Sequence, residues 1–150
     1  ETVAKMFEID NITGVKWTVN NYYELMRLKD ITNGEINIIN GPDEMLISGL
    51  AAGADAGIGT TYNVMLPQFL KIYKYFKEGN VDEARKIQYK VNKVINCMIK
   101  HEVISSTKRM CTMLGFESGE ATYPLKSFKD GGITEFEQDL KELGWPFAEN

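Results

Sequence analysis

Two hydrophobic rhythms alternate along the chain. Short β-branched runs recur three times in its first part, and stretches with apolar residues three and four apart separate and follow them. The first run, Gly14-Val15-Lys16-Trp17-Thr18, is bounded by turn signals and reads as a buried strand. The second covers 35–39 through Ile36, Ile38 and Ile39 and stops at Asn40-Gly41, while the third lies within 54–61 and is small, Ala56-Gly57-Ile58-Gly59. Helical spacing predicts the end of a helix over 1–7, with Val3, Met6 and Phe7 on one face. It predicts a helix over 22–30 capped by Asn20 or Asn21, and one that begins near Pro42 and stops at Gly53. Beyond the third strand the chain is helical: 62–77 up to Gly79, 81–103 capped by Asn80 or Asp82, 105–114 up to Gly115, and 133–143, with a loop over 116–132.

Strands separated by helices make the βαβ pattern of a parallel sheet. Three strands form a narrow sheet for this many helices, and a closed (β/α)8 barrel takes about 250 residues. The expected fold is therefore α/β: the last three β/α units of a (β/α)8 TIM barrel over 1–79, then a C-terminal helical extension over 80–150. A free-standing three-stranded domain is the alternative, and it would leave the polar strand ends nothing to face. Because Glu1 already lies inside a helical pattern, the chain is expected to be a piece of something longer.

Composition narrows the function. The 150 residues are 43% hydrophobic and 25% charged with a net charge of −4, which suits one globular core. With no basic cluster, a nucleic-acid or anionic-membrane surface is not expected. No stretch has the length of a membrane span and no signal-peptide pattern opens the chain, so a cytoplasmic location is expected. Cys97 and Cys111 read as free thiols without metal-ligand spacing, a disulfide between them remaining open, and His101 is the single histidine. Together these argue against a zinc site or a Ser-His-Asp triad within the chain.

In parallel α/β folds chemistry gathers at the carboxyl ends of the strands. Here those ends offer Lys16 and Thr18, then Gly41, Asp43 and Glu44, then Gly57, Gly59, Thr60 and Thr61. Burial penalises an ammonium and favours the neutral amine that attacks a carbonyl to form a Schiff base. The plainer reading of a lone strand lysine is one that snorkels to solvent. The carboxylates, hydroxyls and glycines suit a polyhydroxylated carbonyl compound. Each has an ordinary alternative, since Asp43-Glu44 beside Pro42 also makes a charged first helical turn and glycines also make tight strand ends.

The strings Lys16-Trp17-Thr18, Asn40-Gly41-Pro42-Asp43-Glu44 and Gly53-Ala54-Asp55-Ala56-Gly57-Ile58-Gly59-Thr60-Thr61-Tyr62-Asn63 resemble the N-acetylneuraminate lyases, the sialic acid aldolases. These belong to the dihydrodipicolinate synthase-like superfamily of class I aldolases. The resemblance continues through Lys77-Glu78-Gly79-Asn80 and Asn92-Lys93-Val94-Ile95. It implies that Lys16 is the catalytic Schiff-base lysine, that Thr18, Gly41, Asp43, Glu44, Gly59 and Thr60 hold the sugar hydroxyls, and that Ile58 lies next to the pyruvate portion. Thr60 stands where the family more commonly has serine, and Pro42 where a bulkier residue is frequent. The implied reaction is reversible cleavage of N-acetylneuraminate to N-acetylmannosamine and pyruvate, without metal or organic cofactor, in a homotetramer. The family's proton-shuttling tyrosine and carboxylate-binding motif lie on earlier strands, and Tyr22, Tyr23 and Tyr62, read on helices, substitute poorly for them. The N-terminal half of the barrel, as a partner chain or a further segment, is therefore expected to complete the site. The rival readings are another pyruvate-dependent aldolase or dehydratase of the superfamily and a non-catalytic sugar-acid-binding module.

Overall fold

The computed structural model describes residues 2–147. Its elements run α1 (Thr2–Met6), β1 (Gly14–Trp17), α2 (Tyr22–Ile31), β2 (Asn37–Asn40), a 3-10 turn (Asp43–Met45), α3 (Leu46–Ala51), β3 (Ala56–Gly57), α4 (Tyr62–Lys77), α5 (Val81–Lys100), α6 (Val103–Met113) and α7 (Gly132–Glu142). The strands form one parallel sheet in the order β1-β2-β3, with Lys16 opposite Ile39 and Trp17 opposite Asn40. Parallel strands joined through helices are what the alternating rhythms predict.

Local signals set most boundaries. Asn21 caps α2, its side chain accepting the Glu24 N–H at 3.3 Å, and Asn33 and Gly34 turn the chain with φ of 50° and 77°. Asn80 is the N-cap position of α5, although its side chain makes no capping bond. Two expectations change in detail. The helix after Pro42 opens as a 3-10 turn before α3. α4 is broken at Met65, where φ is −139°. Pro67, two residues on, lacks the N–H that would bond the carbonyl of residue 63.

Burial corrects a third expectation. Among the described residues β1 pairs with β2 alone, and Lys16 is exposed rather than buried. Trp17, its neighbour in the strand, turns to the opposite face and packs against the cluster of Leu25, Leu28, Ile36, Ile38, Ala52 and Ala54. A second, larger cluster joins α3 and α4 to α5, α6 and α7 through Leu46, Phe69, Ile72, Val91, Met98, Met110 and Phe136. The apolar core is therefore continuous across Gly79 and Asn80, where the barrel units were expected to end. Among the described residues no helix is long and apolar enough to cross a membrane.

The amino ends of the strands are tied by one carboxylate. Asp55 accepts the Ile38 N–H at 2.7 Å and the Lys29 ammonium at 3.0 Å, and Lys29 also donates to the Ile36 carbonyl at 2.7 Å. Partial burial pushes the Asp55 carboxyl up, but hydrogen bonds from Lys29 and Ile38 and the charges of Lys29 and Lys77 outweigh it, and the group lies below its ordinary value. A depressed carboxylate adds stability above its unfolded pKa and loses it as pH falls through the folded one. Thermal unfolding should therefore worsen below about pH 4, and Asp55→Asn should lower Tm at neutral pH while flattening that acid slope. An unchanged slope would show that the tie is not formed.

Candidate active site at the carboxyl ends of the strands

The opposite ends of the strands open on a cleft of about 390 Å³ lined by Lys16, Thr18, Asn20, Gly41, Pro42, Asp43, Glu44, Gly59, Thr60 and Thr61, with Ile95, Ile99 and Val103 as an apolar wall. Seven of the eight residues that the resemblance assigns to the site thus share one cleft, with Thr61 beside them, whereas Gly57 does not line it. Ile58 does not line it and is exposed, although its N–H holds β3 to the Asn40 carbonyl at 2.9 Å.

Close backbone approach brings the polar groups together. A methyl at Gly41 would run into Thr18 Oγ1 and meet Lys16 Cε at 3.0 Å, so only a bare backbone lets both side chains lie over the end of β2. Gly59 likewise stands against the Asp43 carboxylate. Asp43 is buried and fixed: its Oδ2 accepts the Thr61 N–H at 2.8 Å and the Thr61 hydroxyl at 2.6 Å. Glu44, next in the turn, is exposed, so one carboxylate is rigid and the other faces the open cleft.

A second row of groups supports these. Asn40 is fully buried, donating to the Pro42 carbonyl at 2.7 Å and accepting from the Tyr22 hydroxyl at 3.1 Å. Burial, then the Glu44 charge, raises the Tyr22 pKa above its usual value. Tyr62 opens α4 stacked on Phe69, with ring centroids 3.8 Å apart. Its hydroxyl is buried without a hydrogen-bond partner among the described residues, and burial, then Asp43 and Tyr22, raises its pKa strongly. Both phenols are thereby held protonated.

Reading the sequence missed Thr61 as the group that fixes Asp43. It also missed Gln88 and Asn92 on α5, which bond the Asp43 and Glu44 carbonyls at 3.1 and 3.0 Å. Thr61 was legible as a second hydroxyl beside Thr60. Gln88 carried only the signal of an amide four residues before Asn92 on one helix, and Asn92 entered only as the first residue of a string that resembles the family.

One metal-competent group occurs among the described residues, away from the cleft. The donor atoms of Cys97, His101 and Asp139 lie within 4.8 Å of one another, and Cys97 and His101 do have the four-residue helical spacing of ligands. Asp139 Oδ2 already meets His101 Nε2 at 2.9 Å and Lys100 Nζ at 3.1 Å. The two cysteines are free. Burial, then the Asp139 charge, pushes the Cys97 thiol up to about 11, so at neutral pH it is a poor nucleophile. A maleimide at pH 7 should label half-buried Cys111 well ahead of Cys97, as read by peptide mass. Faster labelling of Cys97 would contradict this placement.

Comparison with known proteins follows the same lines. The profile of the Dihydrodipicolinate synthetase family matches residues 1–143. An N-acetylneuraminate lyase of Rhizobium meliloti is 31% identical over 144 residues, covering 95% of this chain and 48% of the relative. The crystal structure of the Fusobacterium nucleatum N-acetylneuraminate lyase complexed with pyruvate superposes with a TM-score of 0.86 at 28% identity, over 94% of this chain and 48% of that one. A catalytic-lysine mutant of the Ruminococcus gnavus sialic acid aldolase does so with a TM-score of 0.84 at 29% identity, over 96% of this chain and 49% of that one. The chain spans about half the length of the curated relatives it matches. Its α/β fold corresponds to the C-terminal part of those (β/α)8 barrels. With a profile match that runs through every strand and the cleft they form, the chain belongs to the dihydrodipicolinate synthetase family.

Proposed function

We propose that this chain is the C-terminal, nucleophile-bearing part of an N-acetylneuraminate lyase. The observation that carries the reading is the meeting of one amine, Lys16, with the Asp43 and Glu44 carboxylates and the Thr18 and Thr60 hydroxyls in a single cleft over three strand ends. Pyruvate in the Fusobacterium structure and the catalytic lysine of the Ruminococcus aldolase support it.

In the proposed reaction the Lys16 amine adds to the C2 ketone of the open-chain sugar acid and water leaves, giving an iminium. The iminium accepts the electron pair of the C3–C4 bond as the C4 hydroxyl loses its proton, so N-acetylmannosamine departs as an aldehyde and an enamine remains. Protonation of the enamine and hydrolysis release pyruvate and the free amine. Asp43, held by Thr61, offers its Oδ1 beside Gly59 to a sugar hydroxyl, and Glu44, Thr18 and Thr60 bind others. In this reading Ile58 shapes the backbone near the pyruvate end, and Gly41 gives the iminium room. The acid–base tyrosine and the carboxylate clamp come from the remaining half of the barrel. That the working enzyme is a homotetramer is what the resemblance implies.

The test is borohydride trapping. Incubated with pyruvate and reduced, the enzyme should gain the mass of one reduced pyruvate, mapped to Lys16. No adduct with the rest of the barrel present would overturn the assignment.

A further inference from the structure

The two carboxylates of the cleft stand on a break in the helix. In an unbroken α-helix the Ile47 N–H would bond the Asp43 carbonyl, and the N–H of residue 48 the Glu44 carbonyl. Here the 3-10 turn Asp43–Met45 gives way to α3 through Met45, whose φ of −123° and ψ of 24° are not helical. α5 supplies what the break removes. The buried Gln88 inserts its amide into the gap, donating to the Asp43 carbonyl at 3.1 Å and accepting the Ile47 N–H at 3.4 Å. One helical turn on, Asn92 donates to the Glu44 carbonyl at 3.0 Å and accepts from Gln88 at 2.9 Å.

We infer that Gln88 and Asn92 are positioning residues that splint the broken turn and so set where the Asp43 and Glu44 carboxylates meet the substrate's hydroxyls. The inference rests on the reading of the cleft as a sugar-acid site. A glutamine this deeply buried bonds both the acceptor and the donor stranded by the break, as buried amides do when every polar group is matched. Its effect is confined to the sugar-recognition wall, because Lys16 stands on β1, outside the splint.

The test uses the whole enzyme, this chain together with the rest of its barrel, carrying Gln88→Leu or Asn92→Ala. Asn92 is the more exposed of the two, so its variant keeps the measurement open if Gln88→Leu fails to fold. Either variant should raise KM for N-acetylneuraminate about tenfold, the scale of one lost hydrogen bond, with kcat changed by no more than about twofold. Pyruvate trapping at Lys16 should proceed at the unsubstituted rate. An unchanged KM, or equal loss of pyruvate trapping and sugar turnover, would overturn the positioning role. Absence of trapping in the unsubstituted enzyme would instead overturn the reading of the cleft, and this inference with it.

Discussion

Replacing Lys16 with alanine is expected to abolish turnover of N-acetylneuraminate and the trapped pyruvate adduct together. Lys16 carries the one amine among the residues lining the cleft, so no neighbour can form the iminium in its place. Loss of a covalent nucleophile costs on the order of 10³- to 10⁶-fold in kcat, since the electron sink disappears with it. Lys16→Arg should do the same, because it keeps the charge but cannot form the imine. Both variants should unfold within about 0.5 kcal/mol of the parent, as Lys16 is exposed and packs into neither core cluster. Activity above about a tenth of the parent in either variant would rule out a lysine Schiff base.

Gly59→Ala is expected to damage the other wall of the cleft. The added methyl would occupy the place of the Asp43 carboxylate. That side chain cannot simply swing aside, because its Oδ2 holds the buried Thr61 backbone and hydroxyl. Moving it strands one or both of those donors, at about 1–3 kcal/mol of stability. Denaturant unfolding should show this loss, and KM for the sugar acid should rise while trapping of pyruvate at Lys16 persists. If neither stability nor KM changed, the close approach of Gly59 to Asp43 would have no functional weight.

Much of this was legible along the chain because the determinants are local. Periodicity located the helices within a few residues, and Asn21, Asn33 and Gly34 marked real caps and turns. Asp43, Glu44, Gly59 and Thr60 could be placed together because strand ends in a parallel sheet converge. What escaped reading depends on distant partners. Lys16 is exposed because its side chain stands on the face of β1 that lines the open cleft, and what packs on that face is decided by distant segments. The break at Met65 sits two residues before a proline that was visible, yet the surrounding apolar period overrode it. Gln88 acts on a turn more than forty positions earlier, and polar residues on a helix look alike until their partners are known.

The two walls of the cleft belong to different cores. β1, with Lys16 and Thr18 at its end, rests on the small cluster around Leu25 and Ile38, whereas the Asp43 turn is anchored through Leu46 and α5 to the large helical cluster. Local opening follows such units, and the one with fewer buried contacts opens at lower free energy. In the proposed reaction a substrate bonded covalently to Lys16 and hydrogen-bonded to Asp43 spans both units. Its occupancy is then expected to couple their unfolding, lending the strand on the smaller cluster the cooperativity of the helical half for as long as the substrate is held.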